Sequence, residues 1–411
     1  MMAEGSGVSV AEVSQSAPTR IASIDVFRGL TMAVMIFVNE LAGVRGLPWW
    51  TYHAHRDWNV MTYVDMVYPF FLFIIGLAIP IAIRARLKKN PSMLAVWRHV
   101  LLRSASLIVL GLILANADKV DSAHTGLSGS MWGLLGLLGG VLYWNSYPKS
   151  KRFRTLFKSL RVVGLLLLVF VYAIFRRLTP AGHVAWIDGK YPEILGLIGY
   201  TYLSVAILYI STRRWLWAPL VWFVGLVTLC AVATLHWLNF PNKLPLYFWP
   251  LSNGSWACMT MAGVVTSAIF LGEHRWRTAK QRMQLAVVFA IPVLIAGWLM
   301  TPLGISKIRA TPTWCLYSVG AAVLCFTLLY WICDVKKQTG WTLPVRSAGS
   351  NTLLTYLLPD FYAFFIGATG ALYFETHFAF GWPGVVKSVI FTLFILAVST
   401  MLTRWRLRMQ L

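Results

Sequence analysis

The side chains best suited to chemistry lie together in the stretch WWTYHAHRDWNVMTYVD, residues 49–65. It holds His53, His55, Asp57 and Asp65 within 13 residues. Histidine has an unperturbed pKa near neutrality, which suits general-base chemistry, and a nearby carboxylate can orient the ring and stabilise its charged form. The stretch therefore indicates a histidine–carboxylate site, and the spacing alone leaves open which histidine reacts.

Metal binding is the alternative for this stretch, since two histidines at i and i+2 can share an ion. No third ligand follows at a convincing spacing. The five cysteines form no CxxC pair and all fall inside apolar segments; they are Cys230, Cys258, Cys315, Cys325 and Cys333. We therefore expect neither a metal site nor a disulfide framework.

Further polar residues stand inside the neighbouring apolar segments, where charge is costly and commonly functional. Asp25 and Arg28 are three residues apart, so they can form a structural ion pair or contribute to a site. Asn39 and Glu40 lie near the far end of the same segment. Both ends of this segment are thus candidates for function.

The elements that must position these residues are apolar blocks. The chain of 411 residues is 58% hydrophobic and 12% charged, with a mean hydropathy of +0.66. Blocks of roughly 17–25 apolar residues match a bilayer core of about 30 Å. We predict an all-α integral membrane protein, a polytopic bundle of about 12 transmembrane helices. The predicted spans are 24–44, 60–83, 98–116, 131–145, 159–175, 193–211, 217–235, 252–272, 283–301, 314–334, 350–370 and 385–403.

The net charge of +22 follows a membrane pattern rather than a nucleic-acid one. With alternating loops assigned to two sides, 24 Lys and Arg residues fall on the side of the termini and ten on the other. The positive-inside rule places both termini in the cytoplasm. We predict a flexible cytoplasmic N-terminus over 1–20 without a signal peptide, one transmembrane domain over 21–405, and a cytoplasmic tail over 406–411.

The loops on the side opposite the termini are rich in aromatic residues, above all the loop from Trp49 to Trp58. An interfacial aromatic belt accounts for most of them. Stacking on a sugar ring is the functional alternative.

Two segments, IDVFRGLTMAVMIFVNE and HAHRDWNVMTYVDMVYPFFLFIIG, resemble the heparan-α-glucosaminide N-acetyltransferase family. They carry its D-x-F-R-G start, its V-N pair, its H-x-x-W-N and its D-x-V-[FY]-P in order. Weaker likeness extends to Arg103-Ser104, to YPEILGLIGYTYL, to GISKIRATPTW with Lys307, and to GSNTLLTY with Asn351.

The resemblance implies a membrane acyltransferase that uses acetyl-CoA. In that family the histidine of H-x-x-W-N is the active-site residue, which corresponds to His55, and the V-N asparagine, Asn39, lines the same site. We expect Asp65 to orient or charge-balance this site. Donor binding is expected at four residues: Arg28, Arg103, Lys307 and Asn351.

The expected setting is the bacterial inner membrane, with an amino-sugar or cell-wall glycan acceptor on the periplasmic side. The expected partners are therefore the lipid bilayer, acetyl-CoA and that acceptor, with no nucleic acid, and a homodimer is an option. The alternative function is a transporter for N-acetylglucosamine or a related sugar, which twelve spans with buried charges would also fit. Such a transporter would hold its polar residues near the bilayer midplane, whereas here they cluster at the outer mouth.

Overall fold

The computed structural model of the protein describes residues 21–148, 151–237, 253–272, 278–371, 373 and 377–409. The predicted flexible N-terminus, residues 1–20, lies outside the described residues, as do the last two residues of the predicted tail.

Twelve long helices dominate the described chain, and we number them in chain order. They are α1 (Ala22–Leu41), α2 (Tyr63–Lys89), α3 (Met93–Asn116), α4 (Gly129–Trp144), α5 (Arg154–Ile174), α6 (Glu193–Thr212), α7 (Ala218–Thr234), α8 (Ser255–Leu271), α9 (Ala279–Leu299), α10 (Pro312–Tyr330), α11 (Thr352–Thr369) and α12 (Gly381–Arg404). Each overlaps one predicted span, so the prediction of an all-α membrane protein is confirmed. Eight are long and apolar enough to cross a membrane, α4, α7 and α8 are shorter apolar helices, and α11 falls in neither group. The count of about 12 transmembrane helices therefore stays a prediction.

The remaining regular structure is small. Short helices cover Ser122–Thr125 and Leu343–Ser350. Two strands, β1 (Arg177–Leu178) and β2 (Val184–Ala185), pair antiparallel in the loop between α5 and α6. Each strand has only two residues, which is too few for the alternating apolar and polar pattern that predicts a hairpin from sequence.

Small residues let the inner helices approach closely. A Cβ added to Gly76 of α2 would lie 1.7 Å from the Thr260 carbonyl oxygen of α8, and one on Gly111 of α3 would lie 2.4 Å from the Gly196 nitrogen of α6. Lipid tails are as apolar as the side chains, so burial of apolar surface contributes little to helix association in a membrane. Close backbone packing stabilises the helix pairs instead. The pairs α2–α8 and α3–α6 therefore form the tight interior of the bundle.

An aromatic cluster fills the space among α1, α2, α8 and α10. The Phe27 ring lies 6.2 Å from Phe73 and 6.0 Å from Phe326, and Phe326 lies 5.0 Å from Phe270. By contrast, the apolar segments of α5, α9 and α12 are only 17%, 22% and 28% buried within the protein. We expect lipid to cover these three outer helices. The candidate site lies on the connection between α1 and α2, which both belong to the core.

Candidate active site

The connection between α1 and α2 is fixed by its own hydrogen bonds. The Tyr52 hydroxyl donates to the Val44 carbonyl at 2.6 Å, and the Thr62 hydroxyl donates to the Tyr52 carbonyl at 2.8 Å. Thr62 then caps α2 in a capping box with Asp65. Local sequence thus places residues 52–62 over the start of α2.

Asp65 is the anchor of this connection. Its side chain is 1% exposed. It accepts hydrogen bonds from the backbone N–H groups of Ala54 (3.2 Å) and Thr62 (2.9 Å) and from the His53 ring at 2.8 Å. A buried carboxylate needs such donors to offset its desolvation. We predict from the sequence that Asp65 orients or charge-balances the site of His55, and in the structure the histidine that contacts Asp65 is His53.

Lys307 completes a three-residue cluster from the loop between α9 and α10. Its Nζ lies 3.1 Å from Nε2 and 3.3 Å from Nδ1 of His53, close to both ring nitrogens. A tautomer with its hydrogen on Nδ1 donates to Asp65. Burial lowers the pKa of Lys307 to about 8, while the Asp65 charge acts to raise it. His53 is therefore held by a buried anion at Nδ1, and a cation of weakened basicity lies close to both of its ring nitrogens.

His55, the predicted active-site residue, is more open. Its side chain is 71% exposed. Its Nδ1 lies 3.8 Å from the Asp57 carboxylate, and its ring centre lies 6.0 Å from that of Trp58. An exposed imidazole with loose partners is free to reach a substrate that covers it. The role of His55 stays a prediction.

Asn39 borders a separate cavity of ≈ 600 Å³ inside the bundle. Residues of α1, α3, α6, α11 and α12 line it, together with Asp118 just after α3. Its described lining includes no residue of the 49–65 stretch. Asn39 and His55 therefore belong to neighbouring features at the same end of α1, rather than to one lining.

That cavity is strongly acidic for so basic a chain. Four of the 14 Asp and Glu residues line it: Glu40, Asp118, Glu193 and Asp360. Its described lining holds no Lys, Arg or His. Sequence reasoning missed Glu193 and Asp360. The available signal was a charged residue inside each of two predicted spans.

The four predicted donor-binding residues do not converge. Lys307 lies beside His53, whereas Arg28 lies near the opposite end of α1, where it donates to the Gly349 carbonyl at 3.2 Å and approaches Asp25 at 4.0 Å. Asn351 donates to Thr403 and to the Leu407 carbonyl. Both hydrogens of the Asn351 amide are thus committed to holding the end of the chain.

Arg103 has the surroundings of an anion site. Its guanidinium carbon lies 4.9 Å from the centre of the Tyr202 ring. Its Nε and the Nε2 of His99 are buried without a hydrogen-bond partner among the described residues. Arg86 lies within electrostatic range of both His99 and Tyr202. The unpaired Nε–H of Arg103, with a second guanidinium group nearby, suits a phosphate.

The chain matches a known protein family. A family model described as a domain of unknown function, DUF5009, matches residues 20–256. Heparan-alpha-glucosaminide N-acetyltransferase from Mus musculus is 35% identical over 107 residues, and the Homo sapiens protein is 35% identical over 101 residues. These matches cover 26% and 25% of this chain but only 16% and 14% of the two relatives. The chain thus matches about a sixth of the length of the curated relatives.

Proposed function

This chain belongs to the DUF5009 family, and we propose that it is a bacterial inner-membrane acetyltransferase. In this proposal it moves an acetyl group from cytoplasmic acetyl-CoA to an amino sugar or related glycan on the periplasmic side. The observation that carries the proposal is the ordered loop over α2. It presents the exposed His55 beside the anchored His53–Asp65–Lys307 cluster, in a chain similar to two N-acetyltransferases.

His55 is the proposed nucleophile or general base. In a direct transfer it takes a proton from the acceptor amine as nitrogen attacks the thioester carbonyl, so that the C–N bond forms, the C–S bond breaks and the CoA thiolate leaves. In a two-step transfer an imidazole nitrogen of His55 attacks the thioester carbonyl and the CoA thiolate leaves; the amine then attacks the acetyl carbonyl and the imidazole leaves. Both schemes require an imidazole that is open to substrate, as the 71% exposed ring of His55 is.

His53 has the proposed role of a positioning residue. Asp65 holds the ring through Nδ1, and the Lys307 Nζ lies 3.1 Å from Nε2 and 3.3 Å from Nδ1, so two charged side chains fix the ring in place. The same cluster fixes the backbone at Ala54, directly before His55. Asn39, which borders the neighbouring cavity, is proposed to donate to the carbonyl oxygen of the acetyl group where the thioester extends from that cavity toward His55.

The donor's phosphates are proposed to bind at Arg103, with Arg86 and His99 beside it. On α3, Arg103 and the cavity residue Leu114 are 11 residues apart, about 16 Å at 1.5 Å per residue. An extended pantetheine arm reaches on the order of 15–20 Å by ordinary bond lengths. The thioester could therefore lie near the acidic cavity while the phosphates stay at the basic end of α3.

The test is acetyl transfer to glucosamine by purified protein carrying His55→Ala, with His53→Ala for comparison. We expect His55→Ala to lose at least about 100-fold in turnover, because a required base or nucleophile is commonly worth that much. His53→Ala should lose less and should also lower thermal stability. A His55→Ala protein that folds normally and keeps more than a tenth of wild-type turnover would remove His55 from the mechanism.

A sugar transporter is the second candidate, and the cavity supports it. Asp360 lies midway along α11, and buried carboxylates within a bundle are typical of transport pathways. Counterflow of labelled N-acetylglucosamine in proteoliposomes without acetyl-CoA separates the two functions. Accumulation under those conditions would favour transport.

A further inference from the structure

Three arginines gather where α12 ends, in a pocket that shares no lining residue with the acidic cavity. They are Arg346 on the short helix Leu343–Ser350, Arg404 in the last turn of α12, and Arg408 just beyond it. The pocket has a volume of ≈ 450 Å³, and four hydroxyl-bearing side chains also line it: Ser347, Ser350, Thr400 and Thr403. We propose that this arginine pocket binds the headgroup of an anionic phospholipid, with an acyl chain of the lipid in the groove beside it.

The arginine pocket carries positive charge without a counter-charge. Its described lining includes no Asp or Glu. No described residue forms a hydrogen bond or an ion pair with the side chains of Arg346, Arg404 or Arg408. The planar fork of N–H donors on a guanidinium group matches the oxygens of a phosphate. An anionic phosphate is therefore the ligand chemistry that the pocket favours.

The backbone that carries these arginines is fixed by the protein itself. The Arg408 N–H donates to the Asn145 side-chain oxygen at 3.0 Å. On the other side of the pocket, the short helix Leu343–Ser350 packs tightly on α1, since a Cβ added to Gly349 would lie 2.0 Å from the Asp25 carbonyl oxygen. A site built on a fixed backbone loses less conformational freedom when its ligand binds.

An apolar groove of ≈ 590 Å³ continues from the arginine pocket along α12. Pocket and groove share Leu343, Thr400 and Arg404, so the two are contiguous. Leu343 is 70% exposed and Leu393 is 58% exposed. The groove residues outside the pocket are mostly apolar: Pro344, Leu393, Leu396, Ala397, Met401 and Trp405. Because α12 is an outer helix of a membrane protein, an acyl chain is the ligand that can cover this surface.

The length of the groove matches one leaflet of a bilayer. Leu393 and Arg404 are 11 residues apart on α12, about 16 Å at 1.5 Å per residue. That distance is about half of a hydrocarbon core of ~30 Å. Trp405, which is 66% exposed, stands at the charged end, where tryptophan commonly marks the membrane surface.

A phospholipid fits both halves of the site, whereas a soluble phosphate fits only one. Free phosphate would leave the apolar groove uncovered, and the amide-rich arm of CoA is poorly suited to a surface that faces lipid tails. Basic pockets between helices at the membrane surface are a known means of binding anionic headgroups. The geometry therefore favours a lipid over a nucleotide cofactor.

The experiment is native mass spectrometry of the full chain, released from micelles with equal amounts of phosphatidylglycerol and phosphatidylcholine that carry identical acyl chains. We expect retention of phosphatidylglycerol to exceed that of phosphatidylcholine at least about tenfold, since each arginine near the surface favours an anionic lipid by about fivefold. Arg346→Gln, Arg404→Gln and Arg408→Gln together should remove this preference. Ala397→Phe fills the groove and leaves every charge in place, so it should lower the retention of phosphatidylglycerol.

The matched control removes three other arginines, by Arg154→Gln, Arg213→Gln and Arg214→Gln. Arg154 begins α5, Arg213 and Arg214 follow α6, and none of them lines the pocket or the groove. This control should keep the full preference for phosphatidylglycerol.

Four results would overturn the inference. They are equal retention of the two lipids by the wild type, a preference that survives the triple substitution in the pocket, an equal loss in the control, and unchanged retention by Ala397→Phe. Displacement of bound phosphatidylglycerol by millimolar inorganic phosphate or CoA would also overturn it, because the pocket would then belong to a soluble phosphate. No arm of this experiment measures acetyl transfer, so its outcome is independent of the proposed function.

Discussion

Removal of the Asp65 carboxylate should destabilise the connection between α1 and α2. In Asp65→Ala two backbone N–H groups, those of Ala54 and Thr62, lose the acceptor that they share, and both residues are buried. A buried donor left unpaired costs about 1–3 kcal/mol, and loss of a helix cap costs about 0.5–2 kcal/mol. Allowing for partial rescue by water, we expect a loss of about 3 kcal/mol.

The comparison is Asp57→Ala, eight residues earlier in the chain. The Asp57 side chain is 81% exposed and, among the described residues, has only the loose contact with His55. Surface changes of this kind stay within about 0.5 kcal/mol. Thermal unfolding in detergent, followed by tryptophan fluorescence, should therefore show a fall of roughly 3–6 °C for Asp65→Ala and almost none for Asp57→Ala. If both variants unfold at the same temperature, the anchoring role of Asp65 is wrong.

Three further predictions concern charge, sidedness and packing. The amine of Lys307 should react with an acylating reagent along a pH profile centred near 8, since below its pKa of about 8 it is protonated and unreactive; a midpoint near 10.5 would contradict its burial. In a cysteine-free background, Trp50→Cys should label with an impermeant thiol reagent from outside intact cells and Lys151→Cys should not, and the reverse pattern would invert the topology. Gly76→Ala should cost more than about 2 kcal/mol because a Cβ would meet backbone at 1.7 Å. At Gly225 an added Cβ would meet no described atom within 4 Å outside its own helix backbone and chain neighbours, so Gly225→Ala should be neutral or slightly stabilising. Equal effects of the two substitutions would refute the close packing at Gly76.

The helices were predictable because one strong signal repeats along the chain. A run of some 20 apolar residues has few alternatives to a spanning helix, and it needs no knowledge of its neighbours. Even α4, with four glycines between Gly133 and Gly140, forms over Gly129–Trp144, because neighbouring helices pack against those glycines. Helix pairing was not predictable, since the contact between Gly76 and α8 joins positions nearly 190 residues apart.

The candidate site was predicted only in part. The 49–65 stretch identified the histidines, but local spacing could not choose between His53 and His55 as the partner of Asp65. The choice depends on the fold of the loop and on Lys307, which arrives from a distant segment. The acidic cavity was missed for the same reason, since Glu193 and Asp360 are far apart in the chain and only the packing of α6 beside α11 brings them together.

Transfer of an acetyl group across the membrane is the central claim, and oriented proteoliposomes test it most directly. Acetyl-CoA with a labelled acetyl group is supplied only on the side of the 147–158 loop, and glucosamine only on the side of the 49–58 loop. We expect labelled N-acetylglucosamine on the glucosamine side and none with His55→Ala. Labelled product no greater than that from protein-free vesicles, or product formed only when the donor is on the His55 side, would contradict it.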